Sequence, residues 1–270
     1  MSEAELYPPT PPVFSDERGR RAGRVFVVAG IIAASIALLV SILVATVLDE
    51  SSSGDQDYFA PPTDLPGLIA AVSDSVVRIE CVLGATTGFG TGFAIDVGNL
   101  SQGYDTAIIT NHHVIEDCYE SSGLLRVFYG SDRVQSDEPI IRSTDPENDL
   151  ALIEMRELVP PLYSAPYFAQ VGWWSMAIGN PLSFNPDNPD DPDDYVVLDN
   201  NVSIGAITSV RGERWNFTSA TINGGNSGGP LVNSRGELIG INTLGSTNDE
   251  DGLWNIAVDS EVIFEKLLKR

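Results

Sequence analysis

Basic residues are scarce in this chain of 270 residues: 15 Lys and Arg stand against 38 Asp and Glu, for a formal net charge of -23. A surface of that sign repels phosphate backbones, which excludes nucleic acid as a partner class, and it repels anionic lipid headgroups too. Histidine and cysteine are scarcer still, with two of each. The two histidines, His112 and His113, are neighbours. Adjacent residues point different ways, and zinc sites need three or four converging ligands, so no metal and no cofactor is expected. Internal repeats of the solenoid type are also missing.

Apolar residues, at 43% of the chain, are sufficient for a real core, and the length fits one large domain or two small ones. Charge is unevenly placed. Residues 1–24 carry four acids and four bases, so the whole -23 lies beyond them. Val25 to Leu48 then runs 24 residues without a charge. As a helix it would be about 36 Å long, against a bilayer core of about 30 Å. A cleaved secretory signal would have a shorter apolar region and a small-x-small site; here the run passes into "VLDESSSGDQD", and a retained anchor is expected. Arg18, Arg20, Arg21 and Arg24 precede it, while Asp49, Glu50, Asp55 and Asp57 follow it. The positive-inside rule puts the N-terminus in the cytoplasm and the rest outside, a single-pass topology at the cell membrane. The expected organisation is a disordered cytoplasmic tail over 1–24, rich in proline at "YPPTPPV", a transmembrane helix over 25–48, a polar linker over 49–63 and a folded domain over 64–270.

Both cysteines, Cys81 and Cys118, lie in the outer part. They pair as a disulfide in an oxidising compartment, the alternative being two buried thiols. A bond would enclose both histidines.

From Pro66 onward short apolar runs alternate with Gly, Asn, Asp and Ser, as in "SVVRIECVLG", "GTGFAIDVG", "DLALIEM" and "ELIGINTLG". Each fits a strand of about 4–8 residues. The fold expected is all-β, with two packed barrels favoured over a sandwich. One short helix is expected near Pro66–Val72 or just after the histidines. A second is expected at the C-terminus, where Ser260 can cap "EVIFEKLLKR". "FNPDNPDDPDDY", Phe184 to Tyr195, and "STNDEDG", Ser246 to Gly252, are acidic loops: solvated surface or calcium site, although the EF-hand spacing is missing.

Three short motifs carry chemistry. "ITNHHVIEDC" follows an apolar strand; "DPENDLALIEM" places Asp149 directly before one; "TINGGNSGGPLV" places Ser227 among four glycines. A serine needs an adjacent base to become a nucleophile, and the oxyanion that develops needs donors already aimed at it. The amides of Gly225 and Ser227 can supply them if residues 225–227 turn tightly, which glycine permits cheaply. No nucleophile elbow between strand and helix is present, which ranks an esterase reading low.

"TNHHV", "NDLALI" and "NGGNSGGPLVN…GELIGINT" resemble the trypsin-like serine peptidases, in particular their HtrA/DegP branch, over about residues 64–270. The resemblance implies two six-stranded barrels with a site in the cleft between them. It selects His113 as general base, Asp149 as the carboxylate orienting it, Ser227 as nucleophile and the Gly225 and Ser227 amides as oxyanion hole. It implies protein or peptide substrates whose backbone pairs with Ile241, Asn242, Thr243 and Leu244 as an added strand. It also strengthens the Cys81–Cys118 pairing. Departures from the family pattern are informative. Asn226 stands where the digestive branch has Asp, so activation by a buried new N-terminus is not expected. Thr221 stands six before the serine, which implies a small or medium apolar P1 residue rather than Lys or Arg. No PDZ domain is expected within the chain. Gly224 replaces a proline common in the family and leaves open a softer oxyanion loop. The function implied is a membrane-anchored endopeptidase of protein quality control or regulated proteolysis; the alternative is a catalytically silent scaffold on the same fold. Oligomeric state is not legible.

Overall fold

The computed structural model describes residues 58–188, 195–243 and 255–268. The expected tail, transmembrane helix and most of the linker lie outside the described residues, as do the centre of the first acidic loop and the whole of the second, which falls within 244–254. No helix among the described residues is long and apolar enough to cross a membrane. The linker ends sooner than expected. Tyr58 is buried, stacks on Trp173 with ring centroids 4.3 Å apart, and accepts the Trp174 N–H through its carbonyl at 2.8 Å.

Helix α1 (Leu65–Ser73) is started by Asp64, whose side chain accepts the Gly67 N–H at 3.0 Å, and by Pro66, which suits a first turn because it has no N–H to leave unpaired. Seven strands follow: β1 (Val76–Leu83), β2 (Thr86–Ile95), β3 (Thr106–Thr110), β4 (Leu124–Tyr129), β5 (Val134–Gln135), β6 (Ile140–Asp145) and β7 (Leu150–Met155). They form one antiparallel sheet in the order β5-β4-β1-β2-β3-β7-β6. Helix α2 (His112–Glu120) interrupts them after β3. The expected first six-stranded barrel is therefore a seven-stranded sheet with two edges. Strand β5 is only two residues long, and Pro139, directly before β6, has no N–H to give to a ladder. Both features leave the edges without the donors that closure would need.

The second half meets the expectation. Strands β8 (Trp174–Gly179), β11 (Asn201–Arg211), β12 (Trp215–Thr218), β13 (Pro230–Val232), β14 (Leu238–Thr243) and β15 (Asn255–Asp259) close into a six-stranded barrel, in the order β11-β12-β15-β14-β13-β8. Strands β9 (Leu182–Phe184) and β10 (Tyr195–Val197) form a separate hairpin. One buried cluster joins the two halves, with Phe93, Ile109 and Leu152 from the sheet and Met176, Leu238 and Ile241 from the barrel. A shared core keeps the facing edges in a fixed relation.

The terminal helix differs from the expectation. Its cap is Asp259, not Ser260, with the Asp259 carboxylate accepting the Glu261 N–H at 3.0 Å. Helix α3 spans only Ser260–Val262 and passes into a π-helical turn, Ile263–Leu267, in which Leu268 N–H reaches Ile263 C=O at 3.2 Å. The wider turn lets Ile263, Phe264, Leu267 and Leu268 all pack on the common core. Cys81 on β1 and Cys118 on α2 are joined in a disulfide, and no described cysteine is free.

Candidate active site

Strand β3 is buried along its whole length and ends at Thr110, directly before Asn111, the cap of α2. Successive helical residues point about 100° apart, so only one histidine of the pair can turn inward. His112 is buried and His113 is exposed. His113 is the one that meets Asp149: its Nδ1 lies 2.9 Å from Oδ2 and 3.1 Å from Oδ1, and its backbone N–H donates to Oδ1 at 3.0 Å. That N–H belongs to the first turn of α2, where a helix favours a negative charge.

Asp149 occupies an unusual backbone position, with φ +55°, just before β7. Aspartate is one of the few side chains that tolerate this region. The turn that produces it is held by the Asp149 N–H on the Pro146 carbonyl at 3.3 Å, and the Asn111 amide clamps the Asp149 carbonyl at 2.9 Å. Thr243 donates its hydroxyl to Oδ2 at 3.0 Å. Burial pushes the Asp149 carboxyl up, but the bonds from His113 and Thr243 outweigh it and hold the group below its ordinary value. An ionised carboxylate only accepts, so Nδ1 of His113 carries the proton and Nε2 is left as the basic nitrogen.

Ser227 is buried between two glycines of positive φ, Gly225 at +95° and Gly228 at +84°. Gly228 shows why no side chain fits: a Cβ there would run into Thr91 and Thr110 and lie 3.1 Å from the Asn111 nitrogen. The residue after the serine thus abuts the residues that lead into α2. Residues 223–226 make a turn closed by the Asn226 N–H on the Asn223 carbonyl at 2.9 Å. The Gly224 carbonyl accepts from Leu182 N–H at 3.1 Å and the Asn226 carbonyl from Gly229 N–H at 3.0 Å. In a trans peptide N–H and C=O point opposite ways, so these bonds also set the directions of the Gly225 and Ser227 N–H groups. Among the described residues neither of those two amides has an acceptor. Ser227 Oγ has no hydrogen-bond partner among the described residues either, so the bond to His113 Nε2 is not formed in this structure.

Asn226, directly before the serine, is a buried neutral amide. Thr221 is exposed on the segment entering the turn, its N–H on Ser203 Oγ at 2.7 Å. The expectation that Ile241, Asn242 and Thr243 offer a free edge to substrate is corrected. Strand β14 is paired on both sides, with β13 through Ile241 and with β15 through Ile241, Asn242 and Thr243. The remaining Asn242 groups are taken by Gly228 N–H and Gly229 C=O, both at 2.8 Å. Leu244 lies outside the described residues. Thr243 serves the site through its hydroxyl instead. Its bond to Asp149, and the part taken by Asn111, had no sequence signal beyond their nearness to the motifs. Among the described residues one group could hold a cation by geometry: ligand atoms of His112, Glu116 and Glu120 on α2 lie within 4.8 Å of one another. Its two carboxylates are exposed, and exposed acids cluster commonly without an ion.

The trypsin-like peptidase domain family matches residues 90–241, more than half of the chain. Relatives named as serine proteases agree: HhoA of Synechocystis is 34% identical over 174 residues, covering 58% of this chain and 36% of that protein. A DegP-like periplasmic serine endoprotease of Chlamydia trachomatis is 34% identical over 164 residues, covering 57% and 28%. Among solved structures, the serine endoprotease from Yersinia pestis superposes with a TM-score of 0.59 at 26% identity, covering 78% of this chain and 68% of that one. Deg5 superposes at 0.57 with 28% identity, covering 74% and 90%. The chain belongs to the trypsin-like peptidase family, with its relatives in the HtrA/DegP branch. It spans about a third of the length of the curated relatives it matches.

Proposed function

We propose that the chain is a serine endopeptidase in which Ser227 is the nucleophile, His113 the base and Asp149 the orienting carboxylate. The observation that carries this reading is the pair His113–Asp149, with Nδ1 2.9 Å from the carboxylate, a contact that an ionised carboxylate makes only if Nδ1 holds the proton. In the acylation step Nε2 takes the Ser227 proton as Oγ bonds to the scissile carbonyl carbon. The carbonyl oxygen becomes an anion facing the Gly225 and Ser227 N–H groups. The C–N bond then breaks, the leaving amine takes the proton from Nε2, and water hydrolyses the acyl-enzyme by the same sequence. Catalytic hydrogen bonds often tighten only when substrate is bound, which accommodates the unpaired Ser227 Oγ.

A second reading, a catalytically silent binding module, draws on that same buried and unpaired hydroxyl. Incubation with an unfolded protein substrate separates the two. The peptidase reading expects cleavage that disappears in Ser227→Ala; intact substrate under all conditions would favour the silent module. For specificity, Thr221 supports a small or medium apolar P1 residue, and a peptide library preferring Lys or Arg would refute it.

The uncharged run Val25–Leu48 and the arginines before it support a single-pass anchor, with residues 1–24 cytoplasmic and the peptidase unit outside at 64–270 preceded by its linker. The likeness to HtrA/DegP proteins supports a task in protein quality control or regulated proteolysis. Full-length chain should stay with membranes through alkaline carbonate extraction, and release into the supernatant would remove the anchor from the proposal.

A further inference from the structure

Thr91, in the middle of β2, is fully buried and belongs to the sheet, yet its hydrogen bonds reach the barrel. Its hydroxyl lies 2.7 Å from the Gly225 carbonyl, 2.8 Å from the Asn180 backbone nitrogen and 3.3 Å from Asn180 Nδ2. A hydroxyl has one proton and two lone pairs. Both Asn180 nitrogens are donors and take the lone pairs. The proton therefore has one destination, the Gly225 carbonyl. The main chain of Thr91 is equally committed: its N–H donates to the Ser227 carbonyl at 2.9 Å, and its carbonyl accepts the Thr110 hydroxyl at 2.7 Å.

Thr91 thus grips the carbonyls on both sides of Asn226. It also ties them to Thr110, the last residue of β3, which leads through Asn111 to His113. Asn180, the other partner, directly follows β8 and is held by Val77, Asn200 and Arg133. The Gly225 carbonyl belongs to the peptide that carries the Asn226 N–H, the link between the Gly225 and Ser227 amides, and glycine at 225 has no side chain to restrain the torsions beside it. If the Gly225 carbonyl were released, that linking peptide could rotate and change the angle between the Gly225 and Ser227 N–H groups, so that the two no longer converge on the oxyanion.

We propose that Thr91 is a positioning residue: its hydroxyl locks the Gly225 carbonyl and so keeps the oxyanion-binding amides in register with His113. It touches no substrate and acts through the backbone of Gly225 and Ser227. The inference rests on the serine-peptidase reading above and goes beyond it, because nothing in that reading requires a side chain from β2.

The test is a series at position 91 in the full chain. Kinetics are read on a peptide substrate, with the affinity of a peptidyl trifluoromethyl ketone, which forms a tetrahedral adduct, and of a product peptide, which does not. Thr91→Val keeps the shape and removes the donor. It should lower kcat about 100-fold, the scale of losing one oxyanion donor, with KM within about twofold. Ketone affinity should fall with kcat while product affinity holds. Thr91→Ser, which restores the donor, should stay within about threefold of wild type. Should the valine variant not fold, Thr91→Cys, a weaker donor of similar size, is expected to fall between Ser and the full loss. Unchanged kcat in Thr91→Val or, if that variant does not fold, in Thr91→Cys would overturn the proposal. So would ketone and product affinities falling together, or Thr91→Ser as slow as Thr91→Val. A wild-type chain that neither cleaves peptide nor binds the ketone would instead overturn the peptidase reading on which the proposal stands.

Discussion

Asp149 combines a left-handed backbone, a partly buried carboxylate and hydrogen bonds to that carboxylate from three donors on two residues, His113 and Thr243. Asparagine tolerates the same backbone, so Asp149→Asn changes the charge and leaves the turn in place. It should lower kcat about 10⁴-fold, because the imidazole loses the partner that holds its tautomer, and stopped-time peptide assays would measure the loss. The same variant has a signature in stability. The carboxyl's folded value lies below its unfolded one, so its contribution is present above the unfolded value of about 3.9 and is lost as pH falls through the folded value. Urea midpoints of wild type and variant should therefore converge as the medium is acidified through that window. Thr243→Val removes one bond and should raise the Asp149 value toward normal, at a cost of about 1 kcal/mol read by the same unfolding curves. His113, Asp149 and Ser227 stood out as candidates because each sits in a motif whose neighbours are also constrained, and the structure pairs the first two. Thr91 and Thr243 did not stand out, because a threonine inside a strand is ordinary β chemistry until its partners across the cleft are known.

The disulfide pins the helix that carries His113 to β1, and Asp259 caps the C-terminal turn. The enclosed loop has a sequence separation of 37, for which chain-entropy arguments give about 3–4 kcal/mol. Replacing both cysteines with serine should lower stability by that order and shift the urea midpoint accordingly. Asp259 has the opposite pH behaviour to Asp149. Burial is its dominant influence, and the carboxyl is raised despite bonds from Glu261 N–H and the Asn216 side chain. Its stabilising contribution is present below the unfolded value and lost as pH rises through the folded value. Asp259→Asn should accordingly gain on wild type as pH rises through that window, again by urea midpoint. Strand positions were readable from short apolar runs, but only one early helix was expected, near Pro66–Val72 or just after the histidines, and the structure has one at each place. The cap at Asp259 was missed because Ser260 is an equally good capping type, and only the carboxylate on the Glu261 N–H decides between neighbours. Substrate pairing at Ile241–Thr243 was misplaced because an apolar run does not reveal whether its two edges are already taken.

At the scale of the whole molecule, the halves share a core, and hydrogen bonds from Thr91 connect them at the serine turn. Closure was the least legible feature. Periodicity identifies strands but not which edges meet, so a sheet with a two-residue edge strand was read as a barrel. The central claim is that Ser227 is a nucleophile activated by His113 and Asp149. The most direct measurement is covalent labelling of the full chain with a fluorophosphonate, the adduct located by peptide mass spectrometry, beside Ser227→Ala. The account predicts an adduct on Ser227 in wild type and none in the variant. Labelling that persists in Ser227→Ala, or a wild-type chain left unlabelled even with added peptide substrate, would contradict it.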